Sequence, residues 1–154
     1  MLYLDTGSLV KLYYPEPESL AVAKVVFGKV IIFTDLHELE MATAMQLKVF
    51  RGEANRDSVM AALDLVREDL VTGKLSKGSV GLQSAMRAAV AMSLAHAASI
   101  GCRSLDILHC ALAKATGAEA FVSTDARQLS VARAESLRSA DDLSFSLISL
   151  RRRQ

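Results

Sequence analysis

The chain has no tryptophan, only two cysteines and two prolines, and a net charge of +1 over 154 residues. Cys102 and Cys110 stand eight positions apart in a stretch that reads as a helix or its entrance. That separates them by about 12 Å along the axis, beyond disulfide reach, so they read as reduced core thiols rather than a redox pair. His37 and His96 show no ligand spacing to other histidines or to cysteine, so zinc is not expected. The near-zero net charge gives no overall attraction to nucleic acid, and any polyanion site must be local and assisted by bound cations. Long uninterrupted apolar runs are missing too. The Ala-rich stretch from Leu82 to Ile100 is broken by Gln83, Arg87, Ser93 and His96, which favours a water-exposed helix over a membrane span. The opening residues lack a basic region and Asp5 interrupts them, so no signal peptide is expected and the cytoplasm is the expected location.

What is present is a chain 51% apolar, with Ala and Leu ahead of β-branched and aromatic types, so helix should exceed strand. The length suits one compact domain over residues 1–150, followed by a basic tail at 151–154. Leu2 to Leu4 reads as a short buried strand, and Gly7 to Tyr14 as a helix stopped by Pro15 and Pro17. A helix over about Ser19 to Phe27 leads to the apolar run Val30 to Phe33, a strand buried on both faces. From Leu36 the pattern is helical, with Leu36, Glu40, Ala44 and Leu47 on one stripe. Ala54 to Val71 is amphipathic at helical spacing and is ended by Thr72-Gly73. Leu75 to Gly81 reads either as a loop or as a degraded strand. The helix from Leu82 stops at Gly101, another runs from Ser104 or Leu105 to about Thr116, Ala120 to Ser123 is a strand, and Asp125 to Glu135 is a helix. Phe145 to Leu150 alternates weakly, as a last edge strand would.

Four acids interrupt segments that are otherwise poor in charge. Asp5, Asp106 and Asp125 each sit where a strand ends or a helix begins, and any one of them is explained equally well as a helix cap. Glu40 caps nothing: it lies mid-helix on an apolar stripe, where a carboxylate needs a partner or a metal. In a parallel sheet, ligands bind at the carboxyl ends of strands. Acids carried there would meet if the strands pair side by side. Hard carboxylate oxygens without thiolates favour Mg²⁺ or Mn²⁺.

The run Leu2-Tyr3-Leu4-Asp5-Thr6-Gly7-Ser8-Leu9-Val10-Lys11-Leu12-Tyr13 resembles the first strand and helix of PIN-domain ribonucleases, particularly the VapC-type toxins of toxin–antitoxin pairs. Leu36, Glu40 and Ala44 resemble the second acidic motif of that family. Leu105-Asp106-Ile107-Leu108-His109-Cys110-Ala111 resembles its third, and Phe121-Val122-Ser123-Thr124-Asp125 its strand, hydroxyl and fourth acid. The resemblance implies an α/β fold, a three-layer PIN-like domain with a short, mostly parallel sheet of four or five strands. It further implies a Mg²⁺- or Mn²⁺-dependent endoribonuclease leaving a 5′-phosphate and a 3′-hydroxyl. Asp5, Glu40, Asp106 and Asp125 would hold the metal; RNA would be the substrate, an antitoxin the protein partner, and a homodimer the assembly. Gly7 departs from the pattern, since the family often has Ser there.

Supporting roles are weighed against plainer ones. Ser123 stands two residues before Asp125 and either orients a carboxylate or ends its strand; Thr6 is a further hydroxyl beside Asp5. His109, three positions after Asp106, could reach the acids but more commonly packs in a core. Lys11, Lys48, Arg51, Arg127 and Arg133 either flank a phosphate groove or are scattered surface charges. A catalytically silent PIN-like module that only binds a partner is the alternative function. An aspartic protease would need a β-rich chain, and a receiver domain would need paired acids at its first strand; neither pattern is present.

Overall fold

The computed structural model describes residues 1–139; the expected last strand at Phe145 to Leu150 and the basic tail lie outside the described residues. Four strands, β1 (Leu2–Leu4), β2 (Ile31–Phe33), β3 (Leu75–Lys77) and β4 (Ala120–Val122), form one parallel sheet in the order β3-β2-β1-β4. Seven helices accompany them among the described residues: α1 (Thr6–Tyr13), α2 (Ser19–Val26), α3 (Asp35–Phe50), α4 (Arg56–Thr72), α5 (Leu82–Ile100), α6 (Ser104–Ala115) and α7 (Ala126–Ala134). The protein therefore has the expected α/β fold, with a four-stranded sheet.

The chain gathers into two compact units, one of Met1–Tyr3 with the chain from Val80 onward, the other of Leu4–Ser79. In the Leu4–Ser79 unit, β2 pairs with β3 in parallel, Ile31 opposite Leu75 and Phe33 opposite Lys77. The stretch that reads either as loop or as strand is thus a strand for three residues. Its sequence carries little signal because only Leu75 is buried, while Ser76 is half-buried and Lys77 exposed. Gly73, at φ +79°, gives α4 a left-handed C-cap and turns the chain into β3. Tyr13 Oη donates to Asp69 Oδ2 (2.9 Å), and Lys74 Nζ donates to Asp69 Oδ1 (2.8 Å).

One periodicity reading needs correction. The buried face of α3 is Leu36, His37, Met41 and Met45, not the stripe through Glu40, Ala44 and Leu47. An imidazole stands at a core position, which a pattern of apolar residues alone passes over. His37 is wholly buried. Its Nδ1 accepts the Thr34 N–H (2.9 Å), and its Nε2–H donates to the Leu4 carbonyl (2.8 Å), so it ties the end of β1 to the start of α3. Glu40 lies at the border of the buried face, half-buried.

In the unit continuing from Val80, α6 is buried from Ile107 to Ala113 and β4 along its whole length. Tyr3 stacks on Phe121 with ring centroids 5.9 Å apart and meets His109 edge-on at 5.7 Å. Gly101, at φ +71°, closes α5 before the chain turns into α6. Both cysteines are buried and unpaired with each other, in keeping with their reading as core thiols.

Candidate active site

Asp5 leaves the carboxyl end of β1 in an extended conformation and caps α1, its Oδ1 accepting the Ser8 N–H at 2.6 Å. It is buried. Thr6, the first residue of the helix, donates its hydroxyl to Glu40 Oε2 at 2.6 Å. The mid-helix carboxylate thus has a polar partner, and the Asp5-Thr6 step fixes two acids at once within the Leu4–Ser79 unit.

Gly7 and Ser8 account for the departure in this motif. A Cβ at Gly7 would lie 3.8 Å and 4.0 Å from the two Asp5 carboxylate oxygens, ordinary contact distances, so a serine has room there. The hydroxyl this chain carries instead, Ser8 Oγ, is buried and is the only fully buried side-chain oxygen without a hydrogen-bond partner among the described residues. Ser8 serves Asp5 through its main chain alone.

Asp106 and Asp125 belong to the other unit. Asp125 caps α7, its Oδ1 accepting the Arg127 N–H (2.7 Å) and the Gln128 N–H (3.2 Å). Ser123 Oγ accepts the Asp125 N–H (2.9 Å) and donates to Gln128 Oε1 (2.9 Å). Gln128 Nε2 then reaches the Asp106 main-chain carbonyl at 3.0 Å. Sequence reasoning does not single out Gln128, although Asp125-x-x-Gln128 has the spacing of a capping box. Its side chain leaves that box, because Ser123 already takes the Asp125 N–H, and spans instead from β4 to the start of α6. Gln128→Ala should destabilise the protein by about 2 kcal/mol, since it removes two part-buried hydrogen bonds, one to the Asp106 carbonyl and one from the Ser123 hydroxyl. Urea melts check this, and a loss under about 0.5 kcal/mol would mean that the bridge carries no stability.

The electrostatics single out Asp106. Partial burial, then the like charge of Asp125, raise its pKa above the ordinary carboxylate value, against the opposing effects of the Arg103 main chain, His109 and the Arg103 charge. The same two carboxylates register on Cys102, whose thiol is pushed up to about 11, first by burial and then by Asp106 and Asp125. His109 is buried, with Nδ1 2.9 Å from Tyr3 Oη, so its ring is committed to the core.

No group of three or more His, Cys, Asp or Glu side chains close enough to hold a metal occurs among the described residues. Each unit holds two of the four candidate acids. The donor chemistry nevertheless suits a hard divalent cation: all four candidate groups are carboxylates, and a cation would relieve the like-charge pressure recorded at Asp106.

The family model of the PIN domain matches residues 2–134. The chain belongs to the PIN-domain family, whose members are generally nucleases. Among solved structures it is similar in fold to PAE2754 from Pyrobaculum aerophilum, with a TM-score of 0.57, 17% identity, and 96% of this chain and 89% of that one covered. It is also similar to FitAcB from Neisseria gonorrhoeae, with a TM-score of 0.52, 15% identity, and 86% and 94% covered. No curated protein matches the chain in sequence. Among the described residues no helix is long and apolar enough to cross a membrane.

Proposed function

We propose that the protein is a metal-dependent endoribonuclease in which Asp5, Glu40, Asp106 and Asp125 together hold Mg²⁺ or Mn²⁺. The PIN family match over residues 2–134 is the observation that carries this reading, and the burial and Asp125 charge that raise the Asp106 pKa agree with it. A divalent ion bound there supplies an activated water and neutralises charge building on the phosphate and the leaving 3′ oxygen. The chain's own residues do the positioning. Ser8 N–H orients the Asp5 carboxylate, Thr6 Oγ1 orients Glu40, and Ser123 with Gln128 sets Asp125 and the start of α6. Labelled single-stranded RNA incubated with Mn²⁺ tests the chemistry. Fragments with 5′-phosphate and 3′-hydroxyl ends are expected; cyclic 2′,3′-phosphate ends would mean that the RNA 2′-hydroxyl is the nucleophile and would remove the ion's proposed role.

In this reading the protein is the toxin of a toxin–antitoxin pair acting in the cytoplasm, and its antitoxin inhibits it by placing an Arg or Lys among the acids, where a fixed cation replaces the metal. A structure of the complex with no basic partner side chain near Asp5 or Asp106 would contradict that. A homodimer is proposed as well. α5 leaves Leu82, Met86, Val90 and Leu94 exposed at four-residue spacing, an apolar stripe suited to a second copy. A monomeric mass in solution at micromolar concentration would rule it out.

A further inference from the structure

Within the Leu4–Ser79 unit, α1 and α3 border a cavity of about 270 Å³ whose lining includes Thr6, Gly7, Lys11, Glu16, Lys48 and Arg51. Its lining carries the Thr6 hydroxyl, which donates to Glu40, together with three cationic side chains. Lys48 lies eight residues beyond Glu40 on α3, about 12 Å along the axis. Lys11 and Lys48 are largely buried, with side chains 11% and 15% exposed. Each ammonium has a carboxylate partner from the α1–α2 turn: Lys48 Nζ lies 2.6 Å from Glu16 Oε1, and Lys11 Nζ 3.5 Å from Glu18 Oε2. Lys48 also stands over the Tyr14 ring, 5.0 Å from its centroid.

The turn that supplies these carboxylates is stiff. Pro15 and Pro17 flank Glu16 and fix φ on both sides. The Glu16 N–H donates to Ser19 Oγ (2.9 Å), and the Ser19 N–H donates back to the Glu16 carbonyl (3.1 Å). A stiff turn thus presents Glu16 to Lys48 and Glu18 to Lys11, and the cleft that both lysines line also includes Thr6, the residue next to Asp5.

We propose that this cleft is a subsite for the RNA backbone, in which Lys11 and Lys48 bind phosphate next to the scissile one and Glu16 and Glu18 hold the two ammonium groups until a phosphate displaces them. The inference rests on the RNA-cleaving reading, because it assigns part of the same substrate. Its physical basis is that a carboxylate and a phosphodiester are both singly charged oxygen acceptors for an ammonium. The carboxylate is the more exposed member of each pair, Glu18 at 53% and Glu16 at 25%, so it is the partner that exchanges with solvent anions.

The test is binding of a short fluorescent single-stranded RNA to the full chain in chelator, followed by anisotropy across a salt series, so that cleavage plays no part. Lys11→Ala/Lys48→Ala should weaken binding about tenfold and flatten the salt slope by roughly 0.7 for each phosphate that is no longer neutralised. Glu16→Gln/Glu18→Gln should tighten binding roughly two- to fivefold, a gain that misfolding cannot produce. Asp64→Asn/Glu68→Gln on α4 makes the same charge change elsewhere and should give a much smaller gain. An unchanged salt slope in the lysine variant, an equal gain in the α4 variant, no gain in the Glu16 and Glu18 variant, or no RNA binding by the wild type would each overturn the subsite. Metal-dependent cleavage is scored separately: intact cleavage with unaltered binding in the variants defeats the subsite alone, and absent cleavage with the expected binding pattern defeats the catalytic reading alone.

Discussion

Replacing Asp5, Asp106 or Asp125 singly by Asn is expected to slow RNA cleavage by about 10²- to 10³-fold, the usual scale for removing one group that stabilises transition-state charge. The fold should survive each change for a local reason. Asp5 and Asp125 cap α1 and α7 through Oδ1, and Asn caps a helix as well as Asp does. Asp106 contributes its main-chain carbonyl to Gln128, and that carbonyl is untouched by the substitution. Cleavage rates measured beside thermal melts separate the two effects. Rates near wild type in two of the three variants would mean that these acids are caps and nothing more.

The second large effect is on stability. Because the folded Asp106 carboxyl has a raised pKa, the folded protein holds that proton more tightly than the unfolded chain does. Stability from this group is therefore present at acid pH and falls as pH rises from the ordinary carboxylate value through the raised one. Asp106→Asn removes that fall, so the metal-free variant should be at least as stable as wild type at neutral pH. The difference should vanish in acid. The side chain is only partly buried, so screening keeps the metal-free difference small. The metal response is the larger quantity: at a hundredfold excess over its dissociation constant, an ion that binds only the folded state adds about 2.7 kcal/mol to wild type. The variant should gain much less. Melts at two pH values with and without Mn²⁺ decide it; equal shifts in both proteins, or a metal-free variant that melts early, would leave Asp106 a structural role at the start of α6.

Much of this fold is legible in the sequence wherever one residue class dominates a segment. Val30 to Phe33 and Ala120 to Val122 are short unbroken apolar runs, and both contain strands. Pro15 and Pro17 end α1, and Gly73 and Gly101 end α4 and α5, because proline and left-handed glycine leave few other conformations open. Legibility fails where a polar residue does the work of an apolar one. His37 satisfies both ring nitrogens inside the core, so the buried face of α3 cannot be found from its aliphatic residues. β3 buries only one of its three residues and lacks the strand pattern.

The candidate site divides along the same line. Asp5, Glu40, Asp106 and Asp125 stand out because charge is scarce around them. Gln128 does not, because an amide in a first helical turn is commonplace, and its long-range partners, Ser123 and the Asp106 carbonyl, exist only once the chain has folded. The pairing of Lys11 and Lys48 with Glu18 and Glu16 is equally hidden. The residues are adjacent to visible motifs, but which acid meets which lysine depends on how the Pro15-Glu16-Pro17 turn is set.

The central claim, that this chain hydrolyses RNA through carboxylate-held metal, is tested most directly by the cleavage rate as a function of free Mn²⁺. The rate should rise saturably with the ion, vanish in excess chelator and return when Mn²⁺ is restored, in wild type but not in Asp125→Asn. Full activity in chelator would contradict the account, as would the absence of cleavage at any Mn²⁺ concentration, which would leave a PIN-family module that binds without cutting.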